Sequence, residues 1–172
     1  MDFEKLSAAR YSLRKFSQAP IEPEKLALVL EAGRNAPTAH NNQPQRIILV
    51  SQKENLARLS EITSFVFGAP VCMIICADKQ SAWVNTFDNR SSAETDAAIV
   101  TTQMMLQAHA LGLGTCWVCY FDRDAVRKAF NIPDAWEIEC LLPMGYPADD
   151  ARPGPRHTQR LPLQKTVFEE SL

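Results

Sequence analysis

The chain has 172 residues, 46% of them hydrophobic and 22% charged, which suits one globular domain spanning 1–172 with a sizeable core and leaves too little for two domains. Its eleven prolines and six glycines are scattered rather than clustered, so disorder and low complexity are poor descriptions. A net charge of −2 argues against nucleic-acid binding, and no apolar run approaches the roughly 20 residues of a membrane helix. The start, Met1-Asp2-Phe3-Glu4-Lys5-Leu6, lacks the basic and apolar regions of a secretory signal, and a cytoplasmic setting is the expectation.

In chain order, a short helix is expected over Asp2 to Ala9, and a second from Pro23, with Leu26, Val29, Leu30 and Gly33 on one face, stopped by Asn35-Ala36-Pro37. A polar loop, Thr38 to Pro44, leads into a strand over Arg46–Val50. A helix over Lys53–Ile62 precedes a strand over Val71–Ala77. Ser91-Ser92-Ala93-Glu94 reads as a capping box, Ser91 reaching forward and Glu94 back, that opens the longest helix, to Leu111, with Gly112 ending it. That helix is apolar around most of its girth and belongs inside the fold or at a subunit interface. A third strand is expected over Thr115–Tyr120, a helix capped by Asp122 follows, and a fourth strand covers Ile138–Met144. Residues 150–172 read as an extended arm able to reach a partner subunit. These elements make an α+β domain with helices against one central sheet.

The charges are unevenly placed. Ala8–Pro20 carries Arg10, Arg14 and Lys15, and Ala151–Phe168 carries Arg152, Arg156, Arg160 and Lys165, with no acid in either tract. They are either two solvated basic segments or two halves of one anion site. The five cysteines have parallel readings. Cys116-Trp117-Val118-Cys119 has C-x-x-C spacing, but on a strand residues three apart face opposite ways, which favours reduced core thiols over a redox pair or zinc site.

Dinucleotide, P-loop, zinc-protease and nucleophile-elbow motifs are all missing, and His40, His109 and His157 have no neighbouring ligand pattern, so no metal is expected. Three segments share a chemical bias instead. On an extended backbone Arg10, Ser12 and Arg14 would aim two guanidiniums and a hydroxyl one way, as a phosphate requires. Pro37 to Pro44 supplies neutral donors and acceptors on a constrained loop, and Arg160-Leu161-Pro162-Leu163 sets a guanidinium in the arm with no local acid.

In order and spacing, Arg10-x-Ser12-x-Arg14-x-Phe16, Ala36-Pro37-Thr38-Ala39-x-Asn41-x-Gln43-Pro44, Leu111-Gly112-Leu113-Gly114-Thr115-Cys116-Trp117, Gly145-Tyr146-Pro147 and Arg160-x-Pro162-Leu163 resemble the successive signatures of the FMN-dependent nitroreductase family, over residues 4 to 168. The resemblance implies a nitroreductase-like α+β fold, its central sheet mostly antiparallel and flanked by helices. It also implies a homodimer that exchanges its C-terminal arm and holds FMN at the subunit interface. Carried over by position, Arg10, Tyr11, Ser12 and Arg14 would hold the phosphate and ribityl end, with Arg160 adding a contact from the arm. Pro37, Thr38, Ala39, Asn41 and Gln43 would approach the same flavin from the other subunit, and Trp117, Val118 and Cys119 would pass its N5 edge. The chemistry would belong to the FMN, with no protein nucleophile. NADH or NADPH would give a hydride and leave before a small electron-poor acceptor, such as a nitroaromatic or quinone, takes its place in a ping-pong cycle. Trp83, Phe87 and Tyr120 are candidates to line that pocket or to serve as packing.

Two departures stand out. Many members carry an Asn and a Lys before the second strand, near the flavin pyrimidine, where this chain has Ser64-Phe65-Val66-Phe67-Gly68-Ala69, and Thr158 replaces the usual Lys two before the C-terminal Arg. A non-catalytic FMN carrier or sensor is the alternative reading, and a thiol redox protein using Cys116 and Cys119 a third.

Overall fold

The computed structural model describes residues 2–170. Helix α1 (Phe3–Ala9) starts where the Asp2 carboxylate accepts the Lys5 N–H at 3.0 Å. Helix α2 (Pro23–Arg34) starts on a proline, whose missing N–H is one a first turn does not use. β1 (Gln45–Val50), α3 (Lys53–Ile62) and β2 (Val71–Asp78) follow, then α4 (Ala93–Ala110), β3 (Gly114–Thr115), α5 (Arg123–Phe130) and β4 (Trp136–Gly145). Gly112, at φ 80°, takes the left-handed turn that ends α4, and the Leu113 N–H closes back on the Ala108 carbonyl at 2.9 Å.

The sheet has the order β1-β2-β4-β3, and every neighbouring pair is antiparallel. β2 lies inside and is buried on both faces up to Asp78, which its unbroken apolar run demands. Met73, Ile75 and Ala77 meet α2 and α4 on one side, while Cys72, Ile74 and Cys76 meet α3 and α5 on the other. The result is three layers, helices on both faces of one sheet.

Two expected elements differ. The third strand is regular only over Gly114–Thr115 instead of running to Tyr120. Cys116 donates its N–H to the Pro143 carbonyl at 3.2 Å, but Pro143 has no N–H to return, so the ladder lapses until Val118 pairs with Leu141. The capping box is absent as well. Ser92, not Ser91, occupies the cap position of α4 and makes no cap bond with its side chain, Ser91 accepts only from the Ala93 N–H, and the Ser92 hydroxyl is drawn instead to Asp96. The arm, 152–170, is exposed except at the half-buried His157.

Candidate functional site

Residues 12–17 are zipped along the edge of the sheet. Ser12 pairs with Thr115, the Leu13 N–H donates to the Thr115 carbonyl at 2.9 Å, and Phe16 pairs with Pro147. Leu13 and Phe16 are buried with Ala69 and Ala151, which anchors this strip by its apolar side. The polar side faces a cleft of about 440 Å³ lined by Arg10, Tyr11, Ser12 and Arg14, and across from them by Gly154, Pro155, Arg156, His157 and Arg160. The His157 ring meets Tyr11 edge-on at 6.0 Å, joining the arm to the strip. The two basic tracts therefore do converge. Four guanidiniums, two from each end of the chain, share one cleft that no carboxylate lines. Among the described residues none of the four is in a salt bridge. Unpaired like charges held this close raise each other's free energy, and an anion is what relieves it.

The loop after α2 is built differently. His40, Asn41 and Gln43 all have positive φ, at 53°, 55° and 51°, a conformation that costs a non-glycine residue about 1–2 kcal/mol. It persists because its ends are held: the Thr38 hydroxyl oxygen accepts the Gln43 N–H at 3.1 Å, and the Asp96 carboxylate accepts the Ala39 N–H at 2.9 Å. His40 stacks on Trp83, ring centres 5.6 Å apart. Pro37 borders the open side of α4. The structure thus keeps Pro37, Thr38, Ala39, Asn41 and Gln43 together but apart from the arginine cleft. The loop is bound at Asp96, whereas Arg10 lies by His109, thirteen residues or roughly 20 Å further along α4.

The third group follows β3, so it continues from the strip bearing Ser12. Trp117 packs toward α4 and donates its indole N–H to the Cys119 sulfur at 3.1 Å, while Val118 is buried and exchanges both backbone bonds with Leu141. Cys119 is exposed and lines a cleft of about 430 Å³ with Thr63, Ser64, Phe65 and Tyr120. The segment that lacks the usual Asn and Lys therefore sits beside Cys119 and presents Phe65, edge-on to Tyr120 at 5.5 Å. Phe87, by contrast, is 97% exposed at the tip of a loop.

Four of the five thiols are buried in the core. All five cysteines are free; Cys116 is buried and Cys119 exposed, as strand alternation requires. Burial pushes Cys72 and Cys76 up to about 12 and raises Cys116 and Cys140 too, which keeps these four protonated. Among the described residues no group of three or more His, Cys, Asp or Glu side chains is placed to hold a metal.

One titratable group escapes any reading of the sequence. Between Ile75 and Cys76 the β2–β4 register shifts, so that Glu139 is the extra residue of a bulge, aimed into a cleft with Lys79, Glu94, Arg123 and Glu137. Burial first, then Glu94 and Glu137, push its carboxyl up to about 7, against the opposing Arg123. An unfolded chain releases that proton near 4.5, so the stability linked to it is complete below that value and is lost as pH rises through 7. Melting curves between pH 5 and 8 are expected to show Glu139→Gln losing less stability with rising pH than the parent; parallel curves would refute the shift.

Comparison with known proteins agrees with this geometry. A sequence model described as the Nitroreductase family matches residues 8–64 and 62–146. A protein named as a putative NADH dehydrogenase/NAD(P)H nitroreductase, from Methanothermobacter thermautotrophicus, is 30% identical over 163 residues, covering 91% of this chain and 82% of its own. The crystal structure of a nitroreductase family protein from Clostridium difficile 630 superimposes with a TM-score of 0.94 at 40% identity over the whole of both chains. An FMN-dependent nitroreductase from Clostridium difficile R20291 superimposes with a TM-score of 0.80 at 27% identity, covering 99% of this chain and all of that one. With the sheet order, the edge strip and the loop all in place, the chain belongs to the nitroreductase family.

Proposed function

We propose that this chain is an FMN-dependent oxidoreductase that passes a hydride from NAD(P)H to a small electron-poor acceptor, donor and acceptor using one pocket in turn. The observation that carries this reading is the acid-free cleft of four guanidiniums, built on a strip whose Ser12 pairs with Thr115 at the start of the segment that leads to Cys119. A phosphate fits it: guanidiniums at Arg10, Arg14, Arg156 and Arg160 can donate to the oxygens in pairs, and the Ser12 and Tyr11 hydroxyls add neutral donors. When bound, FMN supplies the hydride chemistry at N5, which is why the chain needs no nucleophile of its own.

The chain's residues would bind and orient. Arg10, Ser12, Arg14 and Arg160 would fix the phosphate end, and the Trp117-Val118-Cys119 backbone, locked to Leu141, would serve the flavin ring. Pro37, Thr38, Ala39, Asn41 and Gln43 lie roughly 20 Å along α4 from the arginine cleft of the same protomer, which supports their serving, as the resemblance implies, the flavin of a second copy. Support for that dimer comes from α4. Thr95, Ala98, Ile99, Thr102, Gln103 and Leu106 form an uncharged stripe at i, i+3, i+4, i+7, i+8 and i+11 on its outer side. Leu161, Leu163, Val167 and Phe168 of the arm are also exposed, as an arm that crosses to a partner would leave them in an isolated chain. Among the described residues no helix is long and apolar enough to cross a membrane.

The test is the visible spectrum of the purified protein, the identity of any released cofactor, and anaerobic addition of NADH and then NADPH. Bleaching of bound FMN is expected. Bound FMN that neither nicotinamide bleaches would favour a carrier or sensor, and a protein that cannot be loaded with FMN would refute the reading. Arg14→Ala is expected to weaken FMN by about 10- to 100-fold, the loss of one charge-assisted contact of about 1.5–3 kcal/mol, measured by flavin fluorescence.

A further inference from the structure

Asp96 lies in the first turn of α4 and is 2% exposed, yet among the described residues no cation pairs with it. A carboxylate is buried at such a cost only where its oxygens are spoken for, and here both are. One oxygen accepts the Ala39 N–H at 2.9 Å, and the other accepts the Ser92 hydroxyl at 2.7 Å. The Ser92 oxygen in turn accepts the Trp83 N–H at 3.1 Å. One carboxylate therefore holds two segments distant in sequence, the loop 38–43 and the hairpin 83–92, which also touch through the stack of His40 on Trp83.

The hairpin is itself well ordered. Val84 pairs with Ser91, the Asn85 N–H donates to the Arg90 carbonyl at 2.9 Å, and the side chains of Asn85 and Asp88 accept the N–H groups of Phe87 and Arg90. This framework presents Phe87, 97% exposed, at its tip.

We propose that Asp96 is the positioning residue of the flavin site: through Ala39 it fixes the strained loop, and through Ser92 it fixes the hairpin, so that both meet the cofactor and its acceptor as one wall. The proposal rests on the FMN reading above. Without the carboxylate, His40, Asn41 and Gln43 relax to negative φ, and the Asn41 and Gln43 side chains leave their positions.

The experiment compares Asp96→Ala, Asp96→Asn and Ser92→Ala with the parent by three measurements: the FMN dissociation constant, amide exchange at Ala39 in flavin-free protein, and kcat and KM for a quinone acceptor. Asp96→Ala is expected to raise the FMN constant at least 10-fold and to speed exchange at Ala39 by a similar factor. Asp96→Asn restores most of both, since its oxygen still accepts the Ala39 N–H. Ser92→Ala keeps the Ala39 bond and frees the hairpin, so FMN affinity stays within about threefold while the acceptor KM rises about 5-fold or more. Asp96→Ala with a lowered melting point but unchanged FMN affinity and exchange would overturn the clamp, as would failure of Asp96→Asn to rescue. Should Asp96→Ala not fold, Ser92→Ala decides: an unchanged acceptor KM overturns the wall. If the parent itself binds no FMN, the functional reading falls, whereas exchange at Ala39 still judges the clamp.

Discussion

Ending the chain at Ala151 is expected to raise the FMN dissociation constant by about 100- to 10,000-fold, more than the loss of any single guanidinium. The truncation removes Arg156 and Arg160, half of the guanidiniums around the cleft, along with the His157 ring that packs on Tyr11. Two charge-assisted contacts of about 1.5–3 kcal/mol each account for that range. The remaining fold should survive, because Ala151 stays buried with Leu13 and Phe16 and the arm beyond it is exposed. Flavin fluorescence titration with a melting curve separates the two effects. Light scattering on the same sample is expected to show weaker self-association if the proposed dimer forms, since Leu161, Leu163, Val167 and Phe168 go with the arm. Unchanged FMN affinity would remove the arm from the site, and Arg156→Ala/Arg160→Ala in the full chain tells lost charge from lost assembly.

Gly114→Val is expected to cost stability and cofactor affinity together. A Cβ at this position would meet the whole Leu13 side chain, its Cδ2 tip first and its Cβ at 2.8 Å, closer than real carbons approach, and the base of a buried side chain cannot swing away as the tip can. Repacking the tip alone cannot relieve the contact at the Leu13 Cβ, so the strip or β3 must shift. Overpacking of this kind costs about 1–3 kcal/mol, or roughly 2–9 °C of melting temperature for a chain of this size. Because Leu13 holds the strip from which Ser12 and Arg14 project, FMN should weaken by about 10-fold or more. A variant that melts early but binds FMN normally would show that the strip tolerates displacement.

Much of the fold was legible locally. The cap at Asp122, the proline opening α2, the glycine closing α4 and the unbroken apolar run of β2 each specify their element through interactions within a few residues. The resemblance was readable for the same reason, since its motifs sit where the backbone has little choice. Opposite basic tracts without acids already stated the two alternatives for the cleft, and only folding chose between them.

What tertiary structure decided was whatever depends on residues distant in sequence. Pro143 interrupts the third strand from the facing strand, through an N–H that it lacks. Ser91 and Glu94 fit a capping box by spacing, yet Ser92 and Asp96 are engaged instead by Trp83 and Ala39, contacts that no local pattern encodes. Glu139 is an ordinary carboxylate until a register shift against β2 turns it toward Glu94 and Glu137. The sequence by itself determined most of the elements and the family, because capping, periodicity and turn chemistry act at short range. The tertiary structure alone decided which charges meet, which loop is strained and which buried carboxylate holds it, because those energies exist only once distant segments touch.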